Sequence, residues 1–475
     1  MEQFDLIVIG SGPAGEKAAV KAAYFGKKVA LIEKEPRFGG AGVQTGTLPS
    51  KTLKETALYL SGIYHQGIFS VDRELGRKTG VGDFLYRKNL VTEQMHKIVR
   101  FNLEKHGVKV FEGMASFEGA HEVKISGKEE VTIEGEFILV ATGSYPFQPN
   151  DIPFDGKRVH DSDSILNIDH FPESICVVGA GVIGCEYATI FAAMGVKTYI
   201  VNNRDKILGF LDPDVSEGLV EQMKSHEVEI LFNNAVEKIE VPRDGSELIK
   251  LQLQHGESLE VDMFLFAAGR SGCLSGLNCE AIGLETGKRE TLVVNEKYQT
   301  NLSHVFAAGD VIGFPALAST SMEQGRIAVA HMFNTEDLES LADTFPYGIY
   351  TVPEVSMVGL CETEAQKMGM DYGIGKSYYR DTSRGMIMGD IDNGFLKLVF
   401  DRSTRVIKGV HILGHSATEL IHYGMGLVRE GKTLDHVINT VFNYPTLHDL
   451  YKYASYDALG SLSGKKVKKA GEQVQ

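Results

Sequence analysis

The stretch that most constrains this chain runs from Phe4 to Glu33. Apolar residues Leu6 to Ile9 read as a short buried strand, and they lead into Gly10-Ser11-Gly12-Pro13-Ala14-Gly15. Glu16 to Phe25 then reads as a helix, and a second strand, Lys28 to Ile32, ends on Glu33. Strand, glycine turn, helix, strand and terminal acid in that order make a βαβ nucleotide-binding unit. Each glycine has a mechanical part: Gly10 permits the tight turn, Gly12 lets backbone approach a pyrophosphate, and Gly15 lets helix and strand pack closely. The helix N-terminus offers N–H groups and the positive end of its dipole to phosphates. Glu33 is placed to accept from both ribose hydroxyls of an adenosine.

The same unit recurs. Ser174 to Val178 reads as a strand, Gly179-Ala180-Gly181-Val182-Ile183-Gly184 opens a second helix, and Thr198 to Val201 ends at Asn202-Asn203-Arg204-Asp205. Gly10 to Glu33 and Gly179 to Asn202 are both separations of 23 residues. The first unit ends in a carboxylate and the second in an amide. A carboxylate holds a free 2′-hydroxyl but repels a 2′-phosphate, whereas asparagine with a nearby arginine tolerates either.

With 475 residues the chain has room for two to four domains. A net charge of −15 argues against a nucleic-acid surface. The run Lys465-Lys466-Val467-Lys468-Lys469 reads as a solvated tail. Met1-Glu2-Gln3 leads straight into a strand, so no signal peptide is expected. No apolar run reaches the roughly 18–20 residues that span a bilayer, and a cytoplasmic location with no membrane partner is the expectation. Five scattered cysteines imply no disulfide framework, and no metal-ligand cluster is expected.

Between the two units, the glycine-rich stretch Phe38 to Lys51 reads as a loop in which backbone comes close to a ligand, with a helix starting at Ser50. Residues 83–107 carry Val91, Met95, Ile98, Val99 and Leu103 at helical spacing. Short strands follow between 109 and 140, the last ending at Ala141-Thr142-Gly143. Pro146, Pro149 and Pro153 make 144–153 a domain boundary. Val261 to Phe266 reads as a strand ending at Ala267-Ala268-Gly269-Arg270, and Val305 to Ala308 as another ending at Gly309-Asp310. From Pro346 the composition shifts: strands Leu396–Phe400 and Val406–Ile412 alternate with helices over 417–430 and 433–439. The expected fold class is α/β: two Rossmann-like dinucleotide-binding domains and an α+β C-terminal dimerisation domain. The expected partition is 1–150 and 272–345 for the FAD-binding and central domain, 151–271 for the NAD(P) domain, and 346–475 for the interface.

Two fingerprints, Gly39-Gly40, Pro49-Ser50-Lys51, Ala141-Thr142-Gly143, Ala268-Gly269-Arg270 and Ala308-Gly309-Asp310 occur here in an order and spacing that resembles the pyridine nucleotide-disulfide oxidoreductases over nearly the full length. That family includes dihydrolipoamide dehydrogenase and glutathione reductase. Its redox disulfide lies in a Cys-x4-Cys pair just before Pro-Ser-Lys, but those positions are Gly42 and Thr47 here. Its His-Pro-Thr motif with a following Glu reads Tyr444-Pro445-Thr446 with Asp449. Both halves of one thiol relay are absent, and Cys273 and Cys279 follow the second unit rather than replace them. Asp161 to Leu166, Gly179 to Phe191, Gly348 to Glu354 and Asn443 to Thr446 resemble the soluble pyridine nucleotide transhydrogenase branch.

The resemblance implies an FAD-dependent enzyme moving hydride between NADPH and NAD⁺ by a ping-pong route, in a two-fold homodimer acting on small nucleotides. It assigns Gly10, Gly12, Gly15 and Glu33 to the ADP half of FAD and Asp310 to its ribityl chain. It assigns Gly179, Gly181 and Gly184 to the nicotinamide cofactor's pyrophosphate, with Asn202 and Arg204 setting NAD versus NADP, and counts Gly143 and Gly269 among the cofactor-binding residues. Lys51, a solvated lysine when read alone, matches the family lysine near flavin N5, paired with the glutamate that corresponds to Glu186. Thr47 sits where a thiolate normally contacts the flavin, and its hydroxyl carries no electrons. An oxidase or diaphorase reducing oxygen or a quinone is the alternative; a dihydrolipoamide dehydrogenase homologue or a non-catalytic flavoprotein ranks below it.

Overall fold

A computed structural model describes residues 1–62, 80–127, 130–243, 247–335, 344–389 and 394–463. The lysine-rich run 465–469 lies outside them. The chain divides into two compact units, one of residues 1–53, 81–169 and 268–342, the other of 54–80, 170–267 and 343–475.

In the first unit the strand Glu2–Ile9 lies between two parallel neighbours, Val29–Glu33 (Leu6 opposite Val29, Ile9 opposite Ile32) and Glu130–Val140 (Ile9 opposite Val140). Lys109–Phe117 joins outside Val29–Glu33, and Val305–Ala307 joins outside Glu130–Val140, both parallel. Alternation along the central strand sorts side chains onto two faces. Leu6 and Val8 pack with Ala18 and Ala22 of the helix Pro13–Tyr24, and with Ile327 and Ala328 of the helix Ala318–Phe333. Ile7 and Ile9 pack with Phe117, Val123 and Ile133 on the other side. That second core exists because Glu122–Gly127 runs antiparallel to the far halves of two long strands.

The second unit repeats the parallel pattern in the order Glu229–Phe232, Lys197–Asn202, Ser174–Val178 and Met263–Phe266. The single strand expected over 261–266 is two. Ser258–Val261 pairs antiparallel with Ile249–Leu253, and Met263–Phe266 joins the parallel sheet. Asp262 makes the break, because its Oδ2 accepts from the Ser174 N–H and Oγ, both at 2.8 Å.

From Tyr347 the same unit builds a five-stranded antiparallel sheet, Tyr347–Ile349, Val355–Gly359, Ile407–Leu413, Phe395–Asp401 and Tyr372–Tyr378. The helices Ala417–Arg429 and Asp449–Leu462 put Leu420, Ile421, Tyr451 and Ala454 into one core with Leu396, Leu398, Phe400 and Ile412. Lys397 is wholly buried, its ammonium 2.7 Å from Asp212 Oδ1, 3.1 Å from Asp214 Oδ2 and bonded to Glu362. Those three carboxylates converge closely enough to suggest a cation site, and the lysine ammonium already supplies the charge among them. Among the described residues no helix is long and apolar enough to cross a membrane.

The stretch 38–51 departs from the loop expected of it. Gly39 in the left-handed region (φ 104°) turns the chain into a one-and-a-half-turn helix, Gly40–Gln44. The next helix, Thr47–Ser61, starts three residues before Ser50. Glycine content signalled the turn but hid a short helix whose Val43 is buried in the first unit's core.

Candidate dinucleotide sites

The two glycine turns have nearly the same backbone. Gly10 and Gly179 sit at φ 105° and 104°, where only glycine is unstrained. A β-carbon on Gly15 would lie 1.9 Å from the Gly10 carbonyl oxygen, and one on Gly184 would lie 1.9 Å from that of Gly179. These glycines are demanded by the fold itself. The middle ones differ. Gly12 (φ −64°) and Gly181 (φ −80°) cap their helices in ordinary extended backbone, and no side chain caps either helix. A β-carbon on Gly181 would meet nothing within 4 Å, and one on Gly12 only the Gly40 Cα at 3.9 Å. Glycine at these two positions answers no need of the chain, and it leaves the helix N-termini open to a ligand.

Behind the first turn, buried Glu33 is tied in by three donors. Its Oε2 accepts from the Ser11 N–H at 2.9 Å and the Ser11 hydroxyl at 2.6 Å, and its Oε1 accepts from the Glu35 N–H at 2.9 Å. Ser11 Oγ in turn accepts from the Gly39 N–H at 3.0 Å, linking the turn to the short helix at Gly40. Nothing in the fingerprint pattern singles out Ser11.

Asn202 occupies the matching place in the second unit. Its Oδ1 accepts from the Ala180 N–H at 3.3 Å, while Nδ2 donates to the carbonyl oxygens of Arg204 (3.1 Å) and Lys206 (3.0 Å). The Leu208 N–H reaches the Ala180 carbonyl at 3.1 Å and the Asn233 N–H reaches that of Arg204 at 3.2 Å. The loop 203–206 is thus held by its backbone, and the Arg204 and Lys206 side chains are exposed. Lys206 was not foreseen, although a second cation two residues after Arg204 was a visible signal.

The rest of the first unit's candidates form a polar chain. Asp310 Oδ2 accepts from Ser144 Oγ at 2.9 Å, and Ser144 Oγ accepts from Arg270 Nε at 2.9 Å. Arg270 Nη1 reaches Asp163 Oδ1 at 3.1 Å, and its Nη2 reaches the Ser144 carbonyl at 2.8 Å. Burial pushes the Asp163 carboxyl above the usual carboxylate range, with the Arg270 charge opposing it. Gly143 (φ 72°) is open around its α-carbon, and Gly269 (φ 141°) faces the Arg289 guanidinium. Thr142 Oγ1 is buried and has no hydrogen-bond partner among the described residues. An orphaned hydroxyl next in sequence to the open Gly143, with the Asp310 carboxylate on Ser144, suits the polar ribityl portion of a flavin dinucleotide, so the residues fit that group.

Thr47 and Lys51 both lie in the first turns of the helix Thr47–Ser61, where Lys51 Nζ donates to Ser50 Oγ at 3.3 Å. Glu186, on the helix Val182–Ala193 of the other unit, is buried and accepts from the Tyr350 N–H at 3.0 Å. Where a relay cysteine would stand, Gly42 is closed over: a β-carbon there would lie 2.8 Å from Pro13 Cγ. Tyr444 is 72% exposed, its hydroxyl 2.6 Å from that of Ser383.

Residues 4–325 match the family described as pyridine nucleotide-disulphide oxidoreductase, and residues 345–455 match the dimerisation domain of the same family. The soluble pyridine nucleotide transhydrogenase of Mycobacterium bovis BCG Pasteur is 39% identical over 465 residues, 97% of this chain and 98% of that one. The protein of that name from Yersinia pestis Pestoides F is 39% identical over 464 residues, with the same coverage. Among solved structures, the Cu(II) complex of the Escherichia coli flavoprotein disulfide reductase RclA aligns with a TM-score of 0.86 at 26% identity, over 96% of this chain and 100% of that one. Mycobacterium tuberculosis LpdA aligns with a TM-score of 0.87 at 24% identity, over 96% and 99%, and shares the fold. The paired glycine turns, the antiparallel C-terminal sheet and these matches agree: the chain belongs to the pyridine nucleotide-disulphide oxidoreductases, a flavin-dependent family that works with pyridine nucleotides.

Proposed function

We propose that this chain is an FAD-dependent soluble pyridine nucleotide transhydrogenase, exchanging hydride between NADPH and NAD⁺. The observation that carries the reading is 39% identity over nearly the full length to proteins of that name, in a chain with two glycine turns of matched geometry and no relay thiol. FAD belongs to the first turn, with Gly10, Gly12, Gly15, Glu33, Thr142, Gly143 and Asp310 as its holders. NAD and NADP belong to the second, with Gly179, Gly181, Gly184, Arg204 and Lys206, the loop held by Asn202. Arg270 bonds the Ser144 carbonyl, and the Gly269 carbonyl accepts from the Phe147 N–H at 3.1 Å, which places both at the end of this first-unit chain.

FAD, when bound, would supply an acceptor and donor of hydride for the nicotinamide nucleotides. The protein's own part is positional. The helix N-termini at Gly12 and Gly181 orient pyrophosphates. Lys51 would supply a positive charge beside the bound flavin, and Glu186 is the acid assigned with it. Thr47 fills the thiolate's place with a group that cannot be oxidised in turnover. The domain partition given above, a two-fold homodimer through residues 345–455 and a cytoplasmic location complete the proposal.

Anaerobic spectroscopy tests it. NADPH should bleach the flavin of the purified holoenzyme and NAD⁺ should restore the colour. Bleaching that only oxygen or a quinone reverses would replace transhydrogenation with oxidase or diaphorase activity.

A further inference from the structure

The helix Thr47–Ser61 carries a second lysine, Lys54, three residues after Lys51 and so on the same helical face. Lys54 is 2% exposed, and its ammonium lies 2.5 Å from Glu354 Oε1 and 5.8 Å from the centre of the Tyr350 ring. Glu354 Oε2 also accepts from the N–H and hydroxyl of Thr418, at 3.1 and 2.8 Å, in the first turn of the helix Ala417–Arg429. Burial raises the Glu354 carboxyl, but the Lys54 charge and these donors together hold it below the usual range. The Lys54 ammonium also lies 3.1 Å from the exposed Glu55 carboxylate, while its buried contacts are the two ends of Tyr350-Thr351-Val352-Pro353-Glu354, a segment internally tied by Thr351 Oγ1 to the Pro353 carbonyl at 2.6 Å. This segment meets the second glycine-turn helix twice. The Tyr350 N–H donates to Glu186 Oε1 at 3.0 Å, and the Val352 N–H donates to Thr189 Oγ1 at 3.1 Å.

We propose that Lys54 is a positioning residue for Glu186: its buried pair with Glu354 fixes the segment 350–354, whose Tyr350 and Val352 N–H groups hold Glu186 and its helix in place. The inference rests on the transhydrogenase reading and extends it to a residue outside the glycine turns and the Lys51 motif. An ion pair with no more than a stabilising role would be replaceable by neutral groups of similar size. A pair that sets the placement of a charged group of the flavin site would not, because small misplacements slow hydride transfer steeply.

The test compares Lys54→Met with Glu354→Gln, made together so that no buried charge is stranded, in wild-type and Glu186→Gln backgrounds. In holoenzyme of unchanged melting temperature, flavin reduction by NADPH in stopped flow should slow about tenfold or more, while KM for NADPH stays within about twofold. In the Glu186→Gln background the same double change should slow the step no further, because both changes act through one group. Lys54→Arg, which keeps the charge, should retain most of the rate. An unchanged rate in the folded double variant, or full additivity with Glu186→Gln, overturns the proposal. If the double variant does not fold, Thr189→Val decides: it removes the acceptor of the Val352 N–H, and a normal reduction rate there overturns the proposal, while a slowed, non-additive one supports it. Wild-type holoenzyme that NADPH fails to bleach overturns the transhydrogenase reading, and this inference with it.

Discussion

The side-chain amide of Asn202 donates to the carbonyl oxygen of Arg204 at 3.1 Å, so the residue that replaces an acid also shapes the loop carrying the nearest cation. Its second amide hydrogen goes to the Lys206 carbonyl. At the matching place in the first unit, Glu33 accepts from a backbone N–H two residues on, at Glu35. The two loops therefore present opposite groups to the residue that ends the strand: a donor faces Glu33, and acceptors face Asn202. Amide against carboxylate is a difference in loop construction before it is a difference in ligand choice.

Asn202→Glu should consequently do more than swap cofactors. A carboxylate at 202 would lose both donors and face two carbonyl oxygens, at about 1–3 kcal/mol for each buried group left unpaired. The melting temperature should drop, and flavin reduction by NADH and NADPH should fall together. Arg204→Ala with Lys206→Ala should leave the melting temperature alone and lower kcat/KM for NADPH about ten- to a hundredfold, with little change for NADH. Stopped-flow reduction by each cofactor measures both. An Asn202→Glu protein of normal stability that merely prefers NADH would show that the loop does not depend on that amide.

The glycines of the second turn should separate in the same assay. Gly184→Ala forces a β-carbon to 1.9 Å from the Gly179 carbonyl oxygen, so this variant should be poorly folded. Gly181→Ala meets nothing within 4 Å and needs no unusual φ, so it should fold normally. Its methyl would stand where a pyrophosphate approaches, and KM for NADPH should rise about tenfold or more. Equal KM values in Gly181→Ala and wild type would move the nucleotide off this helix.

How much of this was legible beforehand follows from which signals are local. The glycine turns were readable because their demands are local: Gly15 and Gly184 are imposed by carbonyl oxygens five residues back, and Gly10 and Gly179 by a positive φ. The strand Ser174–Val178 was readable because its apolar run stops at Gly179. The helix Gly40–Gln44 was not readable, since five residues with two glycines carry no helical period and tertiary packing of Val43 decides the matter. The roles of Ser11, Ser144 and Asp163 depend on partners 22, 166 and 107 residues away. No spacing rule reaches that far, and Lys54 paired with Glu354 across 300 residues is the extreme case.

Thiol chemistry should be irrelevant to turnover. Cys176, Cys185, Cys279 and Cys361 are buried, and burial pushes all four thiols up, away from the reactive thiolate. Cys273, partly exposed and 3.8 Å from Lys34 Nζ, is the one an alkylating agent should find. Iodoacetamide applied after NADPH reduction should label about one thiol per chain and leave transhydrogenation nearly intact. Restoring the relay should also fail: Gly42→Cys pushes on Pro13 and should cost about 1–3 kcal/mol, read as a lower melting temperature. Inactivation by alkylation would instead place a cysteine in the catalytic path.

The stability of the protein should fall as pH drops below about 6.5, the ordinary histidine value. Burial depresses the folded-state values of His160, His411, His415 and His448. A group whose folded value lies below its unfolded one binds its proton first in the unfolded chain. Its stabilising effect is complete above the unfolded value and is lost as pH falls towards the folded one. His411 is the clearest case: Nε2 faces the Leu360 carbonyl at 3.0 Å, while Nδ1 is buried without a partner among the described residues. The Asp212 and Glu364 charges favour its cation and the Lys397 ammonium opposes it, and burial outweighs the attraction. Each such histidine should weaken the fold by at most about 1.4 kcal/mol per pH unit in that window. Glu354, held below the usual carboxylate range, is lost only at more acid pH. Melting temperatures measured from pH 8 to pH 5 should therefore stay flat above neutrality and then decline. His411→Gln keeps a donor for Leu360 and removes one titration, so its decline should be shallower than wild type. An unchanged slope in that variant would assign the acid sensitivity to the other depressed histidines, His160, His304, His415 and His448.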